Sequence, residues 1–349
     1  MLAERFFYVS LNIGQLNQYN RRLFLRFVTV VTMRLLRGLH NPGIEKTGCV
    51  ATIGNFDGVH VGHQAIIQQV VAKAKVSGVP SVAIIFEPQP MEYFNRKHAP
   101  ARLMRFREKF QALSAFELDY VFCLKFDASL SRLSAKAFID KVLVSHLNIR
   151  HLVIGDDFRF GGDRTGDFSL LVETGRGKGF TVERTPTLID EQIEKGVRVS
   201  STHVRNLLFA GRFADAEQLL ARPYQITGRV VHGKKLGRQI GFPTANIALH
   251  RVKVPFSGVY VVKLIRNNGK RVDGIANIGI KPTVGNFLPS LEVHLLDFEA
   301  DIYGEQVGVQ FRKKVREERR FDSIEALKQQ IAKDIDVARR WLKKSQMNG

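Results

Sequence analysis

Strand and helix patterns alternate along the first part of the chain. Apolar residues recur at helical spacing in His63–Lys75, between Phe106 and Phe116, and in Ala135–Leu147. Such alternation is typical of a parallel sheet covered by helices, so an α/β domain is expected. The five apolar runs predicted as strands are Cys49–Ile53, Val79–Phe86, Tyr120–Phe126, His151–Gly155 and Phe180–Arg184.

The pattern changes after Thr202. Two short helices are predicted at about His203–Ala210 and Phe213–Ala221, and a long amphipathic helix from about Ser323 to Lys344. Between them, short strands are separated by Gly, Pro and Asn turns, which predicts an antiparallel barrel or sandwich. The clearest of these strands are Gly258–Ile265, Arg271–Ile278, Leu291–Phe298 and Gln306–Phe311.

The length of 349 residues suits two domains, with a boundary near Arg222–Pro223. We therefore expect domains at 33–222 and 223–349. Residues 1–32 mix aromatic, arginine and asparagine residues, and Met33 opens a cleaner start, MRLLRGLHN. The apolar run within residues 1–32 is too short for a signal peptide, and no small-residue cleavage pattern follows it. Residues 1–32 are therefore interpreted as an upstream extension that adds nothing to the fold.

Charge and cysteine usage narrow the choice of partners. The net charge of +20 fits either a solvated basic surface or sites for anionic ligands. No apolar run approaches the roughly 18 residues of a membrane span, so no membrane partner is expected. Cys49 and Cys123 lie in apolar runs, which indicates buried thiols in a reducing cytoplasm.

The segment Gly54–His63, GNFDGVHVGH, follows the first predicted strand and opens the first helix. Its glycines allow a tight turn, and the free amides of a helix start favour phosphate. His60 and His63, three residues apart, can both face one anion and donate hydrogen bonds to it. A lone histidine or glycine turn would indicate only a cap or a loop, but this combination favours a phosphate site.

Two further loops are expected beside it. Gly155–Asp167, GDDFRFGGDRTGD, follows the fourth predicted strand. If the strand order is 3-2-1-4-5, the loops after strands one and four flank the topological switch point, where ligands bind. Val199–Arg205, VSSTHVR, starts a helix, with Arg205 as a phosphate clamp. Alternatively, Ser201 or Thr202 is an ordinary helix cap.

The second half carries a different set of polar residues. Gly228–Lys234 matches the start of a P-loop, but Lys235 follows where Ser or Thr is needed, so that interpretation is rejected. Thr244 and Asn246 in PTAN point the same way on a strand and suit Mg²⁺ with ATP, unless they only form a turn. Glu292 in LEVHLLDF is either paired with a basic residue or accepts a proton from a substrate hydroxyl.

These motifs resemble the bifunctional bacterial riboflavin kinase/FMN adenylyltransferase family, also called FAD synthetase. The resemblance runs from about Met33 to the C-terminus and rests on G-x-F-D-x-x-H-x-G-H, G-D-D-F-x-F-G, S-S-T-x-x-R, F-P-T-A-N and E-V-H-L-L-D-F. It implies a Rossmann-like nucleotidyltransferase domain followed by a Greek-key β-barrel with a terminal helix. It also implies conversion of riboflavin to FMN and then FAD, with ATP and Mg²⁺.

The resemblance assigns roles residue by residue. His60 and His63 contact ATP phosphates in the adenylyl transfer, and Glu292 is the base of the kinase. Thr244 and Asn246 bind the metal. The remaining ATP-binding residues are Gly54, Asn55, Phe56, Asp57, Ser201, Thr202, Arg205, Gly233, Lys234, Gly237 and Gly241. The flavin-binding residues are Asp157, Phe158, Asn277, Thr283, Arg316 and Arg319.

One position departs from the family, which more often has Arg where this chain has Lys281. The charge is kept but the planar fork is lost, so a bidentate contact there is in doubt. Two other functions stay open: the same fold with only one activity, and a basic RNA-binding protein. The second is disfavoured, because aromatic and basic residues are not interleaved in a recognised RNA-binding pattern. No nucleic-acid partner is expected, and the oligomeric state is not predicted.

Overall fold

The first half of the chain is built on a six-stranded sheet whose neighbouring strands are all parallel. The strand order is β1-β4-β3-β2-β5-β6. The five predicted strands are β2 to β6, and their order 3-2-1-4-5 is confirmed. The sheet consists of β1 (Arg34–Arg37), β2 (Cys49–Ile53), β3 (Ser81–Glu87), β4 (Tyr120–Lys125), β5 (Ile149–Gly155) and β6 (Thr181–Thr185).

This computed structural model describes residues 33–349 except 42–43, 45–46, 163, 234–235, 284–285 and 348–349. The side chains of 236, 281–283, 286–288 and 346 lie outside the description as well. The extension predicted at residues 1–32 and the ATP contact predicted at Lys234 therefore fall outside the described residues. The described part of the chain contains no helix long and apolar enough to cross a membrane.

Helices cover both faces of the sheet. On one face, Ile67 and Val70 of α1 pack with Leu113 of α3 against the strands. On the other face, Phe138 and Leu171 belong to a second apolar core. The helices are α1 (Val61–Ser77), α2 (Pro90–Phe94), α3 (Phe106–Leu113), α4 (Ala128–Ser131), α5 (Ala135–Phe138, continued by the π-helical turn Ile139–His146) and α6 (Phe168–Lys178), with a 3₁₀ turn at Ser114–Phe116.

A hairpin and two helices lead into the second half, which is a closed antiparallel barrel of order β10-β13-β12-β11-β14-β9. The predicted choice between barrel and sandwich is thus resolved as a barrel. These elements are β7 (Ile189–Asp190), β8 (Val197–Arg198), α7 (Ser201–Phe209), α8 (Phe213–Leu220), β9 (Gln225–Val231), α9 (Leu236–Gln239), β10 (Ala245–Ala248), β11 (Gly258–Ile265), β12 (Arg271–Thr283), β13 (Asn286–Leu295), β14 (Gln306–Arg316) and α10 (Ile324–Met347).

The barrel interior is continuous with α7 and α8. Phe213 of α8 packs edge-on against Phe256 and Tyr260 and stacks with Phe311 of β14. Alternation along β11 and β14 directs Tyr260 and Phe311 inward. The helix α10 lies outside the barrel, where Ala338 packs on β11 and β12. The domain boundary near Arg222–Pro223 stays a prediction.

Candidate active sites

The loop between β2 and α1 is held in an unusual backbone conformation. Phe56 and Val59 have φ values of 46° and 43°, in the left-handed region that non-glycine residues rarely adopt. Gly58 has φ 85°, and a Cβ there would lie 2.7 Å from Leu103. Such strain persists only where the surroundings fix it, and it is common at ligand sites. Phe56 is buried, so it supports the loop, whereas Asn55 is exposed.

His60 and His63 form a stacked pair at the start of α1. Their ring centroids are 3.6 Å apart, and Nδ1 of His60 accepts the His63 backbone N–H at 3.4 Å. Burial, reinforced by Arg198, Arg222 and Arg205, lowers the pKa of His60 to about 4. Burial also holds the pKa of His63 well below its usual value. Because Nδ1 of the neutral His60 accepts, its proton is on Nε2, which can donate to an anion.

Asp57 holds the loop between β2 and α1 through buried hydrogen bonds. Its carboxylate accepts the backbone N–H groups of Leu103 at 3.0 Å and Met104 at 2.9 Å, and it is 2% exposed. Arg205 donates to the same carboxylate at 2.5 Å and to the Ala101 carbonyl at 2.6 Å. Asp57 and Arg205 therefore form an ion pair that joins α7 to the loop between β2 and α1.

The start of α7 differs in detail from the prediction. The helix cap is Ser200, whose hydroxyl accepts the His203 N–H at 3.1 Å, and not Ser201 or Thr202. The sequence offers three hydroxyls in a row, and only the register of the helix decides between them. Ser201 instead donates to the Asp57 carbonyl at 2.8 Å, and Thr202 is exposed.

The loop after β5 lies next to the same site. β2 and β5 are neighbours in the sheet, and strand order reverses between them, so their carboxyl-end loops flank the switch point. Asp157 pairs with Arg198 at 2.6 Å, which lowers the pKa of Asp157. Phe158 stacks on Phe160 at 5.5 Å between ring centroids.

Arg198 is a site residue that the sequence did not reveal. It pairs with Asp157 in the loop after β5, and its charge lowers the pKa of both His60 and His63. It therefore lies near the histidine pair and links two of the three predicted loops. Its position directly before the S-S-T motif was the available signal.

A group of aromatic side chains at the ends of β3 and β4 was also missed. Tyr93 and Phe94 of α2 both pack edge-on against Phe126, and Phe86 does the same. Phe94 is 61% exposed and Tyr93 is 40% exposed, so aromatic surface faces solvent at the carboxyl edge of the sheet. In the sequence, the tyrosine and phenylalanine that follow FEPQP could have indicated this aromatic group.

In the barrel, three predicted residues form one row across neighbouring strands. Glu292 of β13 is directly opposite Asn246 of β10 and Asn277 of β12. Directly opposed residues point to the same face, with Cβ atoms about 5 Å apart. Leu291 and Val293 point into the barrel core, so this row is on its outer surface. Strand register thus brings together a predicted base, metal ligand and flavin contact.

Glycines pack closely against the predicted metal ligands. A Cβ on Gly233 would lie 2.3 Å from the Asn246 side chain, and one on Gly237 would lie 2.4 Å from the Phe242 carbonyl and 3.3 Å from Thr244 Oγ1. This close approach explains two of the glycines in the predicted ATP segment. Gly241 has φ 88° and open space around it, so it serves the turn.

Thr244 lines two cavities. One, of about 380 Å³, also has Arg238, Phe298 and Tyr303 in its walls. The other, of about 310 Å³, lies between the barrel and α10 and has Glu292 in its wall. The second cavity is also lined by Gly237, Ile240, Phe242, Asn277, His294, Arg316, Glu318, Arg319, Phe321 and Leu327.

The two predicted flavin arginines are anchored to α10. Arg316 binds the carboxylate of Asp334 through Nε at 2.9 Å and an NH₂ group at 2.8 Å. Arg319 stacks on Phe321 at 4.8 Å and donates to Gln330. Both line the cavity, and Arg316 also connects the end of β14 to α10. The side chain of Thr283 lies outside the description, as does that of Lys281.

The comparisons with known proteins agree with this division. Residues 44–203 match the FAD synthetase family model, and residues 220–342 match the riboflavin kinase model. The chain is 52% identical to a bifunctional riboflavin kinase/FMN adenylyltransferase of Pseudomonas fluorescens, over 88% of this chain and 97% of that protein. The corresponding protein of Escherichia coli (strain K12) is 48% identical, with the same coverage.

One solved structure is also similar over most of its length. The crystal structure of a macrolide-efflux protein from Streptococcus pneumoniae has a TM-score of 0.73 and 28% identity, covering 88% of this chain and 99% of that one. The resemblance predicted from the motifs is confirmed by the matches in both halves. The chain belongs to the bifunctional riboflavin kinase/FMN adenylyltransferase family.

Proposed function

We propose that this chain makes FAD from riboflavin in two ATP-dependent steps. The barrel phosphorylates riboflavin to FMN, and the α/β domain then transfers the adenylyl group of ATP to FMN. The observation that carries the proposal is that each half holds its own polar site. One is the His60–His63 pair at the switch point. The other is the row of Asn246, Glu292 and Asn277.

In the adenylyl transfer, a phosphate oxygen of FMN attacks the α-phosphorus of ATP while the bond to pyrophosphate breaks. The FMN phosphate is already an anion at pH 7, so no general base is needed. His60 donates from Nε2, and His63 and Arg198 add further donors for the phosphates. Thr202 offers a hydroxyl, while Asp57, Ser201 and Arg205 hold the loop that positions these groups.

The exposed aromatic group supports binding of the flavin at the same edge. The isoalloxazine ring is flat and aromatic, and such rings stack on aromatic side chains. We assign this contact to Phe94 and Tyr93, which are exposed at the ends of β3 and β4. Asp157 and Phe158 approach from the loop after β5, on the other side of the switch point.

In the kinase step, the ribityl 5′-hydroxyl must lose its proton as its oxygen attacks the γ-phosphorus of ATP, while the bond from that phosphorus to the bridging oxygen breaks and ADP leaves. Glu292 accepts that proton. The cavity below α10 suits the apolar flavin ring, since Ile240, Phe242 and Leu327 line it. The adjoining cavity, with Arg238 and Tyr303, suits the nucleotide. Thr244 lines both, which is the position that phosphoryl transfer between them requires.

Mg²⁺ is proposed as the cofactor of the kinase step, held by Thr244 and Asn246. Hydroxyl and amide oxygens are ligands that Mg²⁺ accepts together with water and ATP oxygens, and Gly233 and Gly237 leave room beside them. The bound ion would neutralise charge on the transferred phosphate. The buried free thiols of Cys49 and Cys123 fit a reducing compartment, so we propose a cytoplasmic location.

The test supplies the full chain with riboflavin, ATP and Mg²⁺ and separates FMN from FAD by chromatography. His60→Ala should abolish FAD formation and leave FMN formation intact. Glu292→Gln should abolish FMN formation from riboflavin and leave FAD formation intact when FMN is supplied. If FMN accumulates without FAD in the unaltered chain, only the kinase half is active. If both variants lose both products, the assignment of one reaction to each half is wrong.

A further inference from the structure

A buried ammonium group lies close to the adenylyl-transfer site without a hydrogen-bond partner. Lys109 of α3 is 0% exposed, and its Nζ forms no hydrogen bond with any described residue. The nearest carboxylate oxygen, Oε1 of Glu87, is 3.8 Å away, longer than a hydrogen bond. An ammonium has three N–H donors, and leaving a buried charge without hydrogen bonds costs several kcal/mol.

The carboxylate of Glu87 is hydrogen-bonded to another cation, Arg102. Arg102 donates to one oxygen of Glu87 at 3.0 Å and approaches the other at 2.8 Å, while also binding Glu92. Arg102 therefore supplies hydrogen bonds to both carboxylates, and Lys109 supplies the second positive charge of this group. At 3.8 Å the ion pair of Lys109 with Glu87 balances charge but leaves the three N–H donors of Lys109 without a hydrogen-bond acceptor among the described residues.

The position of Lys109 points to the ligand site. Glu87 ends β3 at the carboxyl edge of the sheet, and this edge carries the histidine loop after β2. After burial and His60, the charge of Lys109 is the next influence that lowers the pKa of His63, so the two groups are near each other. Nδ1 of His63 and Oγ1 of Thr52 are also buried, and neither has a hydrogen-bond partner within the described part of the chain. Polar groups without partners thus collect at this edge.

We propose that Lys109 binds a phosphate oxygen of the ATP–FMN complex during adenylyl transfer. Phosphate oxygens accept hydrogen bonds and carry the opposite charge, so they supply what the ammonium lacks. The four-carbon stem of lysine allows its Nζ to turn toward the ligand. This proposal rests on the adenylyl-transfer function assigned to the same edge of the sheet.

The test compares Lys109→Met with the unaltered chain in both reactions. Methionine keeps the stem and removes the charge, and Glu87 keeps its hydrogen bonds to Arg102, so thermal unfolding should show a folded protein at the assay temperature. We expect kcat/KM for FAD formation to fall about 10- to 100-fold, as for loss of a charge-assisted hydrogen bond. FMN formation should stay unchanged. Lys125→Met, which removes an 80% exposed lysine at the end of β4, is the matched control and should leave both reactions unchanged.

The outcomes separate the two proposals. If the unaltered chain forms no FAD, the adenylyl-transfer function itself fails, and the Lys109 proposal fails with it. If the unaltered chain forms FAD and Lys109→Met does so equally well, only the Lys109 proposal is overturned. An equal loss of both activities would assign Lys109 a structural role and also overturn it. Partial recovery of FAD formation in Lys109→Arg supports the need for a cation.

Discussion

Replacing Asp57 by Asn tests whether this residue binds ATP or holds the histidine loop. The carboxylate accepts the N–H groups of Leu103 and Met104 and the guanidinium of Arg205. Asparagine offers one oxygen and one NH₂ group in the same volume. The NH₂ group would face a donor, so at least one of these hydrogen bonds is lost and Arg205 loses its countercharge.

The expected loss of stability follows from burial. Removing one partner of a buried ion pair costs about 3–5 kcal/mol. The side chain of Asp57 is 2% exposed but that of Arg205 is 15% exposed, so water relieves part of the unpaired charge. We therefore expect a loss of about 3 kcal/mol, which at about 2.1 cal/mol/K per residue lowers Tm by roughly 4 °C in a chain of 349 residues. FAD formation should fall mainly through kcat, because His60 and His63 are displaced together.

Differential scanning calorimetry and steady-state kinetics of both reactions give the answer. Asp215→Asn is the control, since it breaks a pair with Arg212 that is 29% and 40% exposed and should cost less than about 1 kcal/mol. FMN formation below Tm should be unchanged. An Asp57→Asn variant that keeps its Tm and shows only a raised KM for ATP would refute the role of Asp57 in holding the loop and would support the predicted ATP contact.

Three further outcomes are expected. Burial lowers the pKa of His60 to about 4, while the unfolded residue titrates near 6.5. The unfolding free energy should therefore be highest above pH 6.5 and fall toward pH 4 by up to roughly 3 kcal/mol. His60→Gln should reduce this pH dependence in urea titrations. Gly237→Ala should impair FMN formation alone, since its Cβ would lie 2.4 Å from a carbonyl, whereas Gly177→Ala, in open space, should leave both reactions unchanged. Arg251→Met should lower the unfolding free energy by about 3 kcal/mol in denaturant titrations, because it leaves the buried Glu108 without its ion-pair partner. The double variant with Glu108→Gln should recover part of that loss.

Local sequence pattern was sufficient for most of the fold. β2 could be predicted because all five of its residues are buried, which gives a continuous apolar run. β1 was missed because it is a four-residue edge strand with arginine at each end. The helix α6 was missed because glycine and polar residues weaken its apolar periodicity. Both omissions concern elements whose burial is decided by tertiary packing.

The candidate sites divide in the same way. The sequence identified Glu292 and Asn246 but did not show that they are opposite each other, since strand register depends on distant turns. It grouped Asp57 with the ligand contacts because the motif is contiguous, whereas the backbone turns at Phe56 and Gly58 direct its carboxylate inward. A motif therefore locates a site, but the direction of each side chain requires the structure.

The orientation of the carboxylates accounts for the difference between the two reactions. In the kinase step a neutral hydroxyl is the nucleophile, so a carboxylate that can accept its proton is useful, and Glu292 lines the cavity that we propose for the flavin. In the adenylyl transfer both reactants are anions, and a carboxylate facing them would repel them. Asp57 is buried and paired with Arg205, and the groups that we propose for the phosphates are the neutral imidazoles and Arg198. Each half thus presents the groups that its own nucleophile requires.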